Sequence, residues 1–264
     1  MKTLIEQFNS LSLQEKEYAI LPLGQHSFVV KTKNKTIWLD PFLTDLEGRN
    51  VSVLCRADEV CVADIITGSH DHADHIDRAA LPDMVKAAKD AVFVFPRAVN
   101  VGEVPAERTS ALNDSETIEL DGVKITAVAS AHELLETDSD GNFTALGFVF
   151  ECDGIKFYHS GDCCIYEGLQ TKLKALAPYD FAFLPINGRD AVRYKANCIG
   201  NMTYQEAVDL AGALDIRLTI PAHFDMFTFN SINPTLFADY FSAKYPGRKY
   251  SIPIPGKIIR GTAR

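Results

Sequence analysis

The stretch 69–75, SHDHADH, contains three of the seven histidines of the chain together with two aspartates. It follows the apolar run ADIITG, so it is predicted to lie at the end of a buried strand. His70 and His72 are two residues apart, which in extended backbone sends both imidazoles to the same side. Asp74 and His75 follow where the chain turns towards a predicted helix, and they could face a second ion. These donors suit zinc, manganese or iron better than calcium.

Three further potential ligands also follow apolar runs. His132 lies near the end of VASAHE, Asp162 follows FYHSG, and His223 ends LTIPAH. Side chains placed just past strand ends can converge at one edge of a sheet. A polar loop rich in His and Asp is the alternative interpretation, but the recurrence of ligand types at distant strand ends favours a metal site.

The order of elements indicates the fold class. Hairpins are predicted in HSFVVKTKNKTIWLDP, around Asp121-Gly122 and around Asp153-Gly154. After the predicted helix DRAALPDMVKAAKD and the strand AVFVFP, the second half alternates helices and strands. Its elements are EGLQTKLKALAP, DFAFLPI, TYQEAVDLAGALD (with a capping box at Thr203 and Glu206), RLTIPAH and NPTLFADYFSAKY. We expect an α+β fold in which two packed sheets carry helices outside, formed by one domain spanning 1–264.

Composition restricts the partners. The net charge of -9 and the pI of about 5.3 argue against broad binding to nucleic acid or to anionic membranes. The first 20 residues have no continuous apolar segment of the kind found in signal peptides. The six cysteines form no CxxC pair, so a reduced cytoplasmic protein is expected. The oligomeric state is left open, with a homo-oligomer among the options.

At these residues the chain resembles the metallo-β-lactamase superfamily, whose motif H-x-H-x-D-H is matched by 70–75. The resemblance extends from LGQHSFVV to IPAHFD. Within the superfamily, the chain is most similar to the L-ascorbate-6-phosphate lactonase (UlaG-like) group, in the stretches SHDHADHID, YHSGDCCIY and IPAHFDMF. It implies a four-layer αββα sandwich of two mixed sheets with two divalent ions, zinc or manganese, with iron also acceptable. By the same resemblance, one ion would be held by His70, His72 and His132, the other by Asp74, His75 and His223, and Asp162 would bridge them.

The resemblance implies a hydrolase in which the two ions lower the pKa of a water, so that hydroxide attacks an ester, lactone or phosphoester. The expected substrate is a small anionic molecule, a phosphorylated or acidic sugar lactone. Asp71 and the bridging Asp162 are the candidate catalytic residues. Candidate substrate contacts are His26, Asn187, Arg189, Arg193 and Tyr194, and candidate supports of the ligands are Asp40 and His159.

Several interpretations compete with these assignments. The arginines, together with Lys195, could form an anion site or be solvated loop charges, and Cys163 and Cys164 could be soft ligands or core residues. A phosphodiesterase or nuclease could use the same two ions, although the acidic charge counts against nucleic acid. An iron redox protein and a non-catalytic binding module are the remaining alternatives.

Overall fold

The computed structural model describes residues 2–264, which form two seven-stranded sheets and six α-helices. The strands are β1 Glu17–Gly24, β2 Ser27–Lys31, β3 Thr36–Leu39, β4 Ile65–Thr67, β5 Val92–Pro96, β6 Thr109–Leu112, β7 Thr117–Leu120, β8 Val123–Ala129, β9 Leu146–Cys152, β10 Ile155–His159, β11 Phe181–Pro185, β12 Leu218–Ala222, β13 Lys249–Tyr250 and β14 Ile259–Thr262. The helices are α1 Leu4–Asn9, α2 Leu81–Ala87, α3 Leu169–Leu176, α4 Ala191–Lys195, α5 Tyr204–Ala213 and α6 Thr235–Lys244.

Both sheets are mixed and have the same arrangement. The first has the order β14-β1-β2-β3-β4-β5-β6, antiparallel as far as β3 and parallel from β3 to β6. The second has the order β13-β12-β11-β10-β9-β8-β7, antiparallel from β7 to β10 and parallel from β10 to β13. Each sheet therefore places the ends of several parallel strands at one edge, where loops can present functional groups.

Alternation along the strands creates the layers. In β1, Tyr18 and Ile20 pack between the sheets, whereas Ala19 and Leu21 face the outer side, where α1 and α2 pack. The inner layer is rich in aromatic rings; Phe28 of the first sheet stacks on Phe183 of the second at 4.2 Å. Helices α3, α5 and α6 cover the outer face of the second sheet. The predicted four-layer αββα sandwich is confirmed.

Most predicted elements are present. The three hairpins form as β2–β3, β7–β8 and β9–β10, and the capping box at Thr203 and Glu206 starts α5. Helices α1 and α4 and the strands β1, β6, β13 and β14 were not predicted from the sequence. Within residues 2–264 we find no helix with both the length and the apolar character needed to cross a membrane.

Phe157 tests the inner layer, because its fully buried ring stacks on both Phe150 and Phe181 at 4.7 Å. We expect Phe157→Ala to lower the free energy of unfolding by about 3–5 kcal/mol, through lost burial and the cavity left behind. Ile254→Ala is the matched control, since this side chain is 55% exposed and should change stability by less than about 0.5 kcal/mol. Urea denaturation of both variants measures the difference, and equal stabilities would contradict the assigned core.

Candidate metal centre

All seven predicted ligands lie just beyond strand ends, at one edge of the sandwich. The 70–75 stretch follows β4, and its turn is closed by hydrogen bonds from the backbone N–H groups of His75 and Ile76 to the His72 carbonyl. His132 follows β8, Asp162 follows β10 and His223 follows β12. Gly161, which precedes Asp162, has φ of +57°, and a Cβ there would lie 2.6 Å from the Cβ of Ser69. Only glycine therefore allows these two loops to approach.

The first group of ligand atoms comes from His70, His72 and His132, which lie within 4.8 Å of one another. His70 Nε2 and His72 Nδ1 are 2.9 Å apart. The Nδ1 of His132 lies 3.2 Å from the Gly200 carbonyl, which can only accept a hydrogen bond. This contact places the proton on Nδ1 and leaves Nε2 with a lone pair for a metal.

The second group comes from Asp74, His75 and His223, and Asp162 lies close to histidine nitrogens of both groups. His75 Nε2 lies 3.6 Å from Asp74 Oδ2 and 3.4 Å from Asp162 Oδ1. His223 Nε2 lies 3.5 Å from Asp74 Oδ2 and 3.1 Å from Asp162 Oδ2. The other group also approaches Asp162, since His132 Nε2 lies 3.6 Å from Asp162 Oδ2. Both carboxylate oxygens thus face histidine nitrogens, as a bridging ligand requires.

Asp40 supports this arrangement from beneath. Its buried carboxylate accepts hydrogen bonds from the Ser69 N–H at 3.0 Å, the Ser69 hydroxyl at 2.5 Å and His75 Nδ1 at 2.7 Å. The bond to Nδ1 turns Nε2 of His75 towards Asp162 and makes that nitrogen more basic. Ser69 was not identified from sequence, although its place directly before His70 marks it in retrospect.

The electrostatics favour a bound cation. Burial alone would lower the pKa of His75, but the Asp162 and Asp74 carboxylates outweigh it and hold the pKa well above the ordinary range. Burial likewise opposes charge on His223, yet Asp162 raises its pKa to about 9. Negative charge that is strong enough to retain protons on buried imidazoles would equally attract divalent ions.

The unpaired atoms of the centre match a metal site. Over residues 2–264, His75 Nε2 and Asp162 Oδ1 are fully buried and have no hydrogen-bond partner. Buried polar atoms without partners are rare in native proteins and call for a ligand. The donor set of imidazoles and carboxylates therefore fits divalent transition metals.

Gln25 is a part of the centre that was not predicted from the sequence. Its side-chain Nε2 lies 2.7 Å from Asp74 Oδ2 and 3.0 Å from His223 Nε2. The backbone N–H of Gln25 donates to the Asp225 carboxylate at 2.8 Å, which holds the residue at a φ of +55°. Only its position between Gly24 and His26 could have drawn attention to it.

Comparison with known proteins agrees with this geometry. The family model described as "Beta-lactamase superfamily domain" matches residues 20–223. A UPF0173 metal-dependent hydrolase of Thermococcus onnurineus is 30% identical over 242 residues, which cover 90% of this chain and 96% of the relative. The chain belongs to the metallo-β-lactamase superfamily of metal-dependent hydrolases. The predicted superfamily and enzyme class are thus confirmed.

Two solved structures with a similar fold extend the comparison. Igni18, a metallo hydrolase of Ignicoccus hospitalis, superposes with a TM-score of 0.70 at 20% identity, covering 94% of this chain and all of that one. CmlA, a diiron β-hydroxylase of Streptomyces venezuelae, superposes with a TM-score of 0.69 at 12% identity, covering 94% of this chain and 55% of that one. At these identities the likeness shows a shared fold.

Two open cavities reach the metal centre of this superfamily member. One, of about 410 Å³, is lined by His70, Asp71, His72, Arg78, Ala98, Val99, Asn100, His132, Glu136, Thr144, Ala145 and Ile199. The other, of about 350 Å³, is lined by Gln25, His72, Asp74, His132, Asp162, Ala196, Asn197, Cys198, Ile199, His223, Phe227, Phe229 and Asn230. Asp71, the candidate catalytic residue, is half-exposed on the first cavity and pairs with Arg78 at 2.9 Å.

The predicted substrate residues are arranged differently from the expectation. Arg189 donates to both carboxylate oxygens of Glu206 at 2.7 and 2.8 Å. Arg193 donates to Asp190 at 2.6 Å and to the Asn187 carbonyl at 2.9 Å. Among the residues that the structure describes, these two arginines, Asn187 and Tyr194 line neither cavity. Through these contacts both arginines instead hold the 187–201 loop in place.

The two remaining predicted residues lie beneath the ligands. His26 is fully buried against Asp162, with Nδ1 of the ring 3.6 Å from Oδ1 of the carboxylate. This placement argues against the predicted contact of His26 with substrate. His159 is also fully buried, and its Nε2 donates to the His26 carbonyl at 3.0 Å. Cys163 and Cys164 are buried as well, and their thiols contact backbone carbonyls.

Asp40→Ala tests the support of His75. We expect the affinity for the ion at His75 to fall by about 10–100-fold, because the imidazole loses its orienting partner. Asp77→Ala is the control, since this carboxylate is also buried but accepts from the Leu43 and Thr44 N–H groups. Competition with a chelator, on samples verified as folded by circular dichroism, measures the affinity. A larger loss of affinity in the control would contradict the proposed support.

Proposed function

We propose that the protein is a dinuclear hydrolase that cleaves an ester or lactone bond in a small molecule. The observation that carries the proposal is the convergence of seven candidate ligands in two groups, both of which have histidine nitrogens within 3.6 Å of the Asp162 carboxylate. His70, His72 and His132 would hold one ion, and Asp74, His75 and His223 the other. Bound there, the ions would supply Lewis acidity, by lowering the pKa of water and polarising the scissile bond.

The residues of the chain supply orientation and proton transfer. Asp40 and Gly200 orient His75 and His132 through their hydrogen bonds. Asp71 extends from the ligand stretch to the wall of the first cavity, where Arg78 engages its Oδ1. Its Oδ2 is the atom that we propose accepts a proton during hydrolysis, and Arg78 keeps the carboxylate aligned.

The walls of the second cavity support a substrate with an apolar group. Phe227 and Phe229 stack at 5.7 Å, and Phe229 is 68% exposed beside the cavity that reaches Asp162. Ile199 lines both cavities. We propose that these side chains contact an acyl or aromatic group of the substrate, because such contact would remove exposed apolar surface at the cavity from water and so favour binding.

An anionic sugar lactone, the substrate class of the ascorbate-phosphate lactonase resemblance, is the alternative. It would require a cation that is free to pair with the substrate. Arg189 and Arg193 have acidic partners, and Arg78 is shared by Asp71 and Glu103. An anion would have to displace these partners or to use Lys195, which is exposed. The same shortage of free cations weighs against a phosphodiesterase or nuclease acting on nucleic acid.

The proposal includes a divalent metal, which is zinc, manganese or iron, and a cytoplasmic location. Zinc, manganese and iron all accept this ligand set, and an iron redox function would be distinguished by iron content and oxygen uptake. All six cysteines are free thiols, which supports function in a reducing, cytoplasmic environment.

His72→Ala and Asp162→Ala test the two-ion assignment. We expect His72→Ala to lose one equivalent of metal, and Asp162→Ala to lower the affinity for both ions, because Asp162 contacts both groups. Hydrolysis of ester and lactone substrates should fall by more than about 100-fold in each variant, since the two ions act together. Elemental analysis after dialysis and initial-rate assays provide the measurements. Full metal content with full activity in either variant would refute the assignment.

Phe229→Ala tests the substrate class. We expect kcat/KM for esters with a long acyl or aromatic group to fall by about tenfold, with little change for acetate esters, because only the former contact the ring. Val192→Ala is the matched control, since Val192 is 81% exposed in the neighbouring segment and lines neither cavity. If Arg193→Ala instead weakened only anionic substrates and Phe229→Ala had no effect, the anionic alternative would be favoured.

A further inference from the structure

Three atoms on the buried side of the metal centre form a cluster without hydrogen bonds. They are His26 Nδ1, His75 Nε2 and Asp162 Oδ1, and each is buried and unpaired within the described residues 2–264. They lie within 4.8 Å of one another, with 3.6 Å from Nδ1 to the carboxylate and 3.4 Å from Nε2 to the carboxylate. Both distances are too long for hydrogen bonds, although all three side chains point to a common centre.

The spacing of these atoms is that of ligands around one ion. Nitrogen and oxygen ligands lie about 2.0–2.2 Å from a metal such as zinc, so neighbouring ligand atoms at angles of about 90–120° around the metal are about 3.0–3.7 Å apart. The two separations of 3.4 and 3.6 Å lie within that range. Burial keeps solvent from satisfying the three atoms, since His26 and His75 are 0% and 1% exposed.

The surroundings of His26 suit ligation. Both ring nitrogens are buried and, within residues 2–264, neither has a hydrogen-bond partner, so Nδ1 is not committed to another group. An imidazole nitrogen with a free lone pair is the form that binds metals. The ring is held in place, since its backbone carbonyl accepts from His159 and the two rings lie 4.3 Å apart.

We propose that His26 is a further metal ligand. Its Nδ1 would bind the ion held by His75 and Asp162, and would approach that ion from the buried side of the centre. The inference rests on the proposed function, because it adds a ligand to the second of the two ion sites. The donors around this ion are then Asp74, His75, Asp162, His223 and His26. Five donors exceed the four that zinc ordinarily takes, so this site should favour an ion of higher coordination number, such as manganese or ferrous iron.

Manganese titration of wild type, His26→Phe and His159→Phe tests the proposal. Phenylalanine keeps a ring of similar size but has no nitrogen, and His159 is the matched control because it is equally buried and contacts His26. Each protein is stripped with a chelator and titrated with MnCl2, and free manganese is measured by electron paramagnetic resonance. We expect His26→Phe to weaken the binding of one manganese by at least about tenfold, and His159→Phe, which loses only the hydrogen bond to the His26 carbonyl, to weaken it by clearly less.

Two results would overturn the inference. One is unchanged manganese affinity in His26→Phe, and the other is an equal loss in both variants, which would assign the effect to core packing. If the wild type binds one manganese, the two-ion part of the proposed function fails, yet the comparison of the two variants still decides the role of His26. Should His26→Phe not fold, a crystal structure of the manganese-loaded wild type decides the question. A distance near about 2.1 Å between His26 Nδ1 and the metal would support the proposal, and a distance beyond about 3 Å would overturn it.

Discussion

The carboxylate of Asp162 is buried among four histidines that come from four different places in the chain. Its oxygens lie 3.1–3.6 Å from nitrogens of His26, His75, His132 and His223. A buried carboxylate is costly unless positive charge compensates it, and His223 and His75 hold its pKa well below the ordinary range despite burial. The loops that surround it belong to both sheets, so the packing of the two sheets and the assembly of the centre depend on each other.

Three residues around this carboxylate have unusual backbone conformations. Gln25, Asp40 and His223 have φ of +55°, +43° and +56°, a region that residues other than glycine seldom occupy. Each is held by hydrogen bonds. The His223 N–H donates to the Gln25 carbonyl at 2.8 Å, and the Asp40 N–H donates to the Thr67 carbonyl at 3.1 Å. Such strained residues persist where the surrounding structure over-determines them, and here they aim three side chains at one small volume.

The sequence predicted the parts of the molecule that depend on local pattern. The convergence of the 70–75 motif with the candidate ligands beyond strand ends required only apolar runs followed by His or Asp, and the hairpins required only turn residues. The edge strands β6, β13 and β14 were missed because they are short and only partly buried, so their patterns are weak. The pairing of Arg189 with Glu206 could not be derived from one sequence, since it depends on how a loop lies against a helix. Gln25 was missed because glutamine is rarely read as part of a metal centre.

The metal centre and the surface around it, formed by the 187–201 loop and the segment with Phe227 and Phe229, are held together by different contacts. The carboxylates of the centre face its histidines, and the arginines of the 187–201 loop are used to hold that loop in place. Arg193 and Asn187 both donate to Asn230 Oδ1, at 2.8 and 2.9 Å, which ties the loop to the segment that carries Phe227 and Phe229. The apolar wall is thus positioned by polar contacts behind it. Under the proposed function, changes in that wall would alter which substrate fits without changing the candidate ligands, whereas changes in the polar contacts would move wall and loop together.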